Sequence, residues 1–399
     1  MADPFFHRPE LAQQLSERIL SDAVLAPARS GLFLAAPRRT GKSTFLREDL
    51  VPALEQRGSA VLYVDLWADK TLDPGLAIVS LVRAALGDQD GRVLQAFRKA
   101  GLHKVVVGGL NFDVGKIGLG TGVTLSAALA ALSDRIKCPI VLIIDEAQHA
   151  ATTSNGNDAL FALKAARDEL NSSGHHGLRI VATGSNRAKL SVLRSSKDQA
   201  FYKAMMQVFP PLGRDYIEWF AKNAGLPFLL DIDRTLQLFE RTGSRPEVLV
   251  QALGELGELD GAPLAATTID DRFELAVGRA VEESDEALLK VVRALTPLQG
   301  AVLRVVAKQG DDYSPYAAST LAAYALELQQ LDARSTVQVD VPNVQTALEA
   351  LQAKSLVWRA AHGEYALEEQ SLADLMRNRG MLPAQHPGRP APTPSDPAH

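Results

Sequence analysis

Residues 36 to 43 read Ala36-Pro37-Arg38-Arg39-Thr40-Gly41-Lys42-Ser43, between an apolar run, Leu32-Phe33-Leu34, and Thr44-Phe45-Leu46. No other stretch restricts the fold so tightly. A turn of this composition, entered from a strand and left through a helix, is a phosphate loop of the A-x-x-x-x-G-K-S variety. To wrap a row of phosphates, successive backbone N–H groups must point inward, and the helix that follows adds the positive end of its dipole. Gly41 lets the backbone approach closely. Lys42 brings a mobile cation to the β and γ phosphates, and the Ser43 hydroxyl is a hard oxygen ligand suited to Mg²⁺. The expected loop is therefore Pro37, Arg38, Arg39, Thr40, Gly41, Lys42, Ser43 and Thr44. Ala36 stands where such loops usually begin with glycine, and alanine is the next smallest side chain. An ordinary glycine-containing turn before a surface helix is the competing reading of the same residues.

About a hundred residues later the chain runs Ile140-Val141-Leu142-Ile143-Ile144-Asp145-Glu146. Five apolar, mostly β-branched residues followed by two acids describe a fully buried parallel strand that ends in carboxylates. Open α/β sheets bind their ligands at that carboxyl edge. Asp145 is then placed to hold Mg²⁺, directly or through water, and Glu146 to orient and deprotonate an attacking water. Alone, the segment would read as a core strand before a solvated acidic turn; beside a phosphate loop it reads as the second half of a nucleoside triphosphate site.

At 399 residues the chain is too long for one ordinary domain. Its net charge of −5 predicts no general affinity for nucleic acid or anionic membrane, so any DNA contact must be local. Cys138 is the single cysteine, which excludes an internal disulfide and fits a reducing compartment. The start, Met1 to His7, lacks a signal-peptide pattern and no apolar run reaches membrane-spanning length. A cytoplasmic protein without a membrane partner is expected. The eight histidines are scattered: His175-His176 suits an exposed loop, and His149 either packs or senses the nearby acidic motif.

The pattern predicts an α/β core over 1–211, with a parallel sheet flanked by helices, then a helical lid over 212–285, a winged helix over 290–380 and a disordered tail over 381–399 that holds six prolines. Within the core, helical spacing covers 9–25, 76–101, 124–136 and 158–170, and strands are expected at 59–66 and 178–186. Residues 104–116 alternate like a β-hairpin, either a plain insertion or a partner-binding finger. The strand Leu178 to Asn186 lies beside the acidic one, so Thr183, Ser185 and Asn186 are candidates to touch a γ-phosphate or the lytic water, Ser185 or Asn186 foremost. Residues 212–257 read as helical with a break at Gly243-Ser244-Arg245-Pro246-Glu247. Ser244 and Glu247 fit a capping box and Pro246 a first helical turn, which leaves Arg245 unexplained unless it reaches back to the γ-phosphate from the lid.

After a small, polar stretch at 260–270, three helices beginning near Thr296, Ser319 and Pro342 precede two short strands, 355–359 and 364–367, around His362-Gly363. Helix, helix, helix and β-wing describe a winged helix. From Val291 to Arg379 it carries eight Lys plus Arg against ten Asp plus Glu, so it has no basic stripe for phosphate contacts. Asn343, Gln345 and Thr346 could still read base edges, and winged helices also dock proteins.

The ordered set of phosphate loop, Asp145-Glu146-Ala147-Gln148, Thr183-Gly184-Ser185, Gly243-Ser244-Arg245-Pro246 and winged helix resembles the AAA+-like P-loop ATPases. It is closest to their archaeal-type, origin-recognition-like branch, which shades into the STAND signalling ATPases. The resemblance spans about residues 9–375 and implies ATP and Mg²⁺ as ligands, slow or partner-stimulated hydrolysis, and a lid that follows the nucleotide. It also implies a possible homo-oligomer, with Arg187, Arg194 or Arg214 as the arginine offered to a neighbour. Helicases of the DEAD-box type would need a second motor domain, and GTPases an Asn-Lys-x-Asp base reader; neither is found. The expected activity is thus an ATPase switch with Glu146, Lys42, Ser185 and Arg245 as its catalytic group and Ser43 and Asp145 as metal ligands. It acts on DNA or a DNA-bound partner, or alternatively as a signalling ATPase whose winged helix binds protein.

Overall fold

A computed structural model of the chain describes residues 5–23, 26–69, 71–87, 117–118, 122–172, 174–185, 187–225, 229–258, 269–360, 364–369 and 371–383. The expected hairpin at 104–116, the loop at 260–268, the turn at His362-Gly363 and the proline-rich tail beyond 383 lie outside these residues. Contacts divide the chain into two units, Met1–Lys290 with Trp358–Ala366, and Val291–Val357 with Leu367–His399. No helix among the described residues is long and apolar enough to cross a membrane.

The first unit is built on a parallel sheet. Its strands β1 (Leu32–Ala35), β2 (Ala60–Asp65), β5 (Ile140–Asp145), β6 (Leu178–Gly184) and β7 (Met205–Val208) lie in the order β2-β5-β6-β1-β7. Among the described residues, two shorter strands, β3 (Ile117–Gly118) and β4 (Val123–Thr124), pair only with each other. The apolar run of β5 is buried throughout, because alternate residues serve opposite faces. Ile140, Leu142 and Ile144 join one core with the helices Pro74–Gly87, Leu125–Ile136 and Ser154–Ser172; Val141 and Ile143 join the other with Pro9–Ile19 and the helix after the phosphate loop. Helices therefore flank the sheet on both sides, as the sequence pattern requires.

Register then sets the site. Asp65 pairs with Asp145, Ile144 with Ala182, and Ala35 with Gly184, which brings the carboxyl ends of four strands level. Strand β7 was not legible from its sequence: four residues at the sheet edge, partly exposed, show neither a buried run nor strict alternation. The loop helix begins at Lys42 and widens over Leu46–Leu50 before continuing as Val51–Gln56. Pro52 lies just beyond this wider turn and has no N–H to give to the preceding turn, which accounts for the altered bonding.

A separate helical cluster follows the sheet, with Tyr216, Phe220, Phe239, Leu249 and Phe273 at its centre. The segment expected as one helix with a single break is interrupted twice, giving Arg214–Asn223, Ile232–Arg241 and Pro246–Glu258. Gly225 adopts φ +67° in the first interruption, and the Asp231 side chain accepts from the Arg234 N–H to start the next helix. At the second, Ser244 has φ +55° and its N–H donates to the Phe239 carbonyl. It closes the preceding helix, while Pro246 opens the next one.

In the second unit, Thr296 and Gln299 form a reciprocal capping box at the head of Pro297–Gln309. Ala318–Leu331 and Val341–Ala353 follow, the latter capped by Asp340 through the Asn343 N–H. Ser371–Asn378 ends the described helices of this unit, while strands β8 (Val357–Arg359) and β9 (Tyr365–Leu367) pair with each other and lie mostly in Trp358–Ala366, which groups with the first unit.

Candidate functional site

Strand β1 delivers the phosphate loop to the carboxyl edge of the sheet. There the backbone turns through left-handed conformations at Arg39 (φ +63°) and Gly41 (φ +80°), and the Thr40 hydroxyl donates to the Pro37 carbonyl at 2.8 Å. Gly41 needs no space for a side chain, since a Cβ would first meet Leu212 at 3.8 Å; it needs the positive φ. A turn of this kind, followed directly by a helix start, has the geometry suited to phosphate.

Side chains from two strands, β2 and β6, and from the helix that opens at Lys42 converge on Asp145, which is fully buried at the end of β5. The Lys42 ammonium, 5 % exposed, pairs with Asp145 Oδ1, lies 3.4 Å from Glu146 Oε1 and donates to Thr183 Oγ1 at 3.1 Å. The Thr183 hydroxyl donates to the same Oδ1. On the other oxygen, Ser43 Oγ donates at 2.6 Å and the Tyr63 hydroxyl at 2.9 Å. Burial pushes the Asp145 carboxyl up, but the Lys42 charge and the hydrogen bonds from Lys42, Ser43 and Thr183 outweigh it and hold the group at about 2. Next to it on β2, Asp65 is raised by burial and by the charges of Asp145 and Glu146, despite a hydrogen bond from the Trp67 N–H. Tyr63 is raised too, by burial first and then by Asp145.

Glu146 has φ +52°, a left-handed backbone that a residue with a side chain adopts only when its surroundings impose it. The turn lifts its carboxylate beside Lys42 rather than into the sheet. Its Oε2 accepts from Gln148 Nε2 at 2.6 Å and from the Ser185 N–H at 3.3 Å. Sequence reading missed Tyr63 and Gln148. Tyr63 enters the site only because β2 lies beside β5 in this register, whereas Gln148 stood within the quoted Asp145-Glu146-Ala147-Gln148 and passed as part of a strand end.

The remaining expected residues are placed as follows. Ser185 Oγ lies 3.5 Å from Gln148 Nε2, at the end of the strand beside Asp145. Asn186 is outside the described residues. Arg245 Nε donates to the Thr242 carbonyl within the helical cluster. Arg38 lies over the Trp67 ring at 5.3 Å, and that ring stacks on His149. Arg39 faces Glu247, at the head of the helix Pro246–Glu258, with 3.8 Å between charged atoms. Of the arginines considered for a neighbouring subunit, Arg187 is exposed, Arg194 donates to the Ala204 carbonyl and Arg214 pairs with Asp233.

A cavity of about 390 Å³ opens beside the loop. Phe6, Phe45, Phe209, Tyr216, Trp219 and Val250 line it, with Gly41 and Thr44 on one wall. Its lining is mostly apolar and aromatic, apart from groups such as Arg8, whose guanidinium donates to the carbonyls of Pro210 and Pro211. Among the described residues, no three His, Cys, Asp or Glu side chains are grouped to hold a metal ion. A cation here would instead be held by Ser43 and Asp145 together with the oxygens of the ligand it accompanies.

Strand order, loop geometry and the helical cluster together decide the fold. The chain has the fold of an AAA+-like P-loop ATPase. Two solved structures share it over nearly the whole length. A Walker-type ATPase of Pyrococcus abyssi has a TM-score of 0.52 at 17% identity, covering 93% of this chain and 96% of that one. The Orc2 protein of Aeropyrum pernix in its ADP form has a TM-score of 0.53 at 14% identity, covering 96% and 98%. No protein-family model matches the sequence, and no curated protein matches it.

Proposed function

We propose that the chain binds ATP with Mg²⁺ and hydrolyses it slowly, as a molecular switch. The observation that carries this reading is the convergence of Lys42, Ser43, Thr183 and Glu146 on or beside one buried carboxylate, Asp145, at the mouth of a phosphate loop. Nothing structural needs a lysine and an aspartate paired at the dry end of a sheet, where desolvation offsets most of the attraction. The loop explains the pair: with a nucleotide bound, Lys42 would turn from Asp145 to phosphate oxygens, and Ser43 and Asp145 would be the residues to hold the accompanying cation. The apolar cavity beside the loop takes the base, whose ring is apolar on its faces and meets a lining rich in aromatic side chains. Mg²⁺, when bound, neutralises phosphate charge. Glu146 takes the proton from the attacking water, and Lys42 offsets charge on the leaving phosphate. Arg39 and Glu247 link the loop to the helical cluster, so the loop's occupancy is felt there as lid movement. The Aeropyrum neighbour is an ADP form, which supports the choice of adenine nucleotide.

The helices from Pro297 to Ala353 and the hairpin that follows them in sequence are read as a winged helix acting on DNA or a DNA-bound partner. A specific observation favours the alternative, a protein-binding module. Asn343 Nδ2 donates to the Gln338 carbonyl, Gln345 Nε2 to Glu349 and Thr346 Oγ1 to the Pro342 carbonyl, so the side chains suited to base edges are spent within their own segment. A duplex-DNA titration at low salt with ATP present separates the two, since binding through phosphates must weaken steeply as salt rises. No binding at low salt leaves the protein-binding reading. For the ATPase itself, Glu146→Gln is expected to keep ATP retention while lowering turnover by about a hundredfold or more. Equal turnover of parent and variant would remove Glu146 as the base.

A further inference from the structure

The Glu146 carboxylate is held unequally. Its Oε1 faces the Lys42 ammonium at 3.4 Å, and its Oε2 is fixed by Gln148 Nε2 at 2.6 Å and by the Ser185 N–H at 3.3 Å. Lys42 is the partner that leaves when phosphate enters the loop. The Gln148 contact has no such competitor, because that side chain is wholly buried behind the acidic turn.

The amide of Gln148 is itself constrained. Its nitrogen serves Glu146 and lies 3.5 Å from Ser185 Oγ, whereas among the described residues no donor reaches its Oε1. Turning the amide over would supply Oε1 with the Ser185 hydroxyl but would set an oxygen against the Glu146 carboxylate, so the observed orientation is the one that carboxylate selects. A buried acceptor without a donor is unfavourable and is kept where another bond of the same group demands it. Gly184 makes room for the arrangement: a Cβ there would stand 2.4 Å from Gln148 Oε1. The glycine of Thr183-Gly184-Ser185 and the glutamine of Asp145-Glu146-Ala147-Gln148 thus answer one another across β5 and β6.

From this we infer that Gln148 is a positioning residue for hydrolysis: it pins one oxygen of Glu146 so that the other, once Lys42 has turned away, is presented to water at a fixed angle. The inference rests on the ATPase reading above and adds the element that aims its base. Through Ser185 the same amide ties Glu146 to the end of the neighbouring strand, so a displacement there moves the base.

The test uses the full chain, ATP turnover and binding of a fluorescent ATP analogue. Gln148→Leu keeps the volume and removes the donor; kcat is expected to fall roughly tenfold to a hundredfold, the scale of a misplaced catalytic group, with KM and analogue affinity within about twofold of the parent. Gln148→Glu supplies a donor only when protonated, so its kcat is expected to decline with rising pH relative to the parent, which a purely structural role would not produce. Parental kcat in Gln148→Leu, or affinity lost in step with kcat, overturns the inference. A second measurement needs no nucleotide. In the nucleotide-free protein, the shifts in unfolding midpoint caused by Glu146→Ala and Gln148→Leu are expected not to add, as for two groups in direct contact, and additive shifts would dissolve the tether. Should the midpoints show coupling while the parent neither retains nor hydrolyses ATP, the ATPase reading is lost and the role of Gln148 in hydrolysis goes with it, although the contact stands. Should the parent hydrolyse ATP without that coupling, only the role of Gln148 is lost.

Discussion

Replacing Lys42 by methionine removes the one cation that reaches Asp145 Oδ1 among the described contacts, in a place where neither group meets solvent freely. In the parent, pairing lowers the Asp145 carboxyl from 3.8 to about 2, which corresponds to about 2 kcal/mol of stability at about 1.4 kcal/mol per tenfold change. The sign follows from a depressed folded value: the contribution is complete above the unfolded value and disappears as pH falls toward 2. In Lys42→Met the carboxylate stays buried without its cation, so burial dominates and the folded value rises above the unfolded one. Its contribution then reverses, becoming unfavourable at neutral pH and relieved on acidification. Breaking one side of a buried pair costs about 3–5 kcal/mol, and the hydrogen bonds from Ser43, Tyr63 and Thr183 keep the loss near the lower end. The assay is urea unfolding of the nucleotide-free protein by tryptophan fluorescence, since Trp67, Trp219 and Trp358 all belong to the unit that holds the site. The variant is expected to lose about 3 kcal/mol at pH 7.5 and to recover part of it at pH 5, with Lys42→Met/Asp145→Asn closer to the parent than Lys42→Met alone. A variant as stable as the parent at pH 7.5, with the same response to acid, would refute the buried pair.

Two further outcomes follow from the same geometry. Tyr63→Phe deletes one donor to Asp145 Oδ2 and nothing else of size, so unfolding should be easier by about 1 kcal/mol and the acid transition should begin at higher pH. Unchanged acid unfolding would show that the hydroxyl does not hold the carboxylate. Gly75→Ala places a Cβ 2.2 Å from the Asn155 carbonyl oxygen, a backbone atom that cannot swing aside, where the helices Pro74–Gly87 and Ser154–Ser172 meet. A loss of about 1–3 kcal/mol in the same unfolding assay is expected, and a variant of parental stability would argue against that close approach.

Much of this chain could be read in one dimension, because the decisive signals are local. An apolar run with two acids at its end is a buried strand with charges at one edge whatever its neighbours, and a glycine before Lys42 and Ser43 supplies a left-handed turn before a helix. The cap at Thr296 and the proline at the head of Pro246–Glu258 act within a few residues for the same reason. What lay beyond local reading was everything set by pairing. The edge strand Met205–Val208 is defined by β1 rather than by its own composition. Tyr63 meets Asp145 only through the register of β2 on β5, with Asp65 opposite Asp145. Gln148 has no meaning until β6 brings Gly184 and Ser185 against it. The residue types of the phosphate-loop pattern were therefore legible in the sequence alone, since backbone conformation and charge travel with each residue. The partners that hold Asp145 and Glu146 in place were decided by tertiary structure, because hydrogen bonds of three ångströms depend on which strands lie side by side.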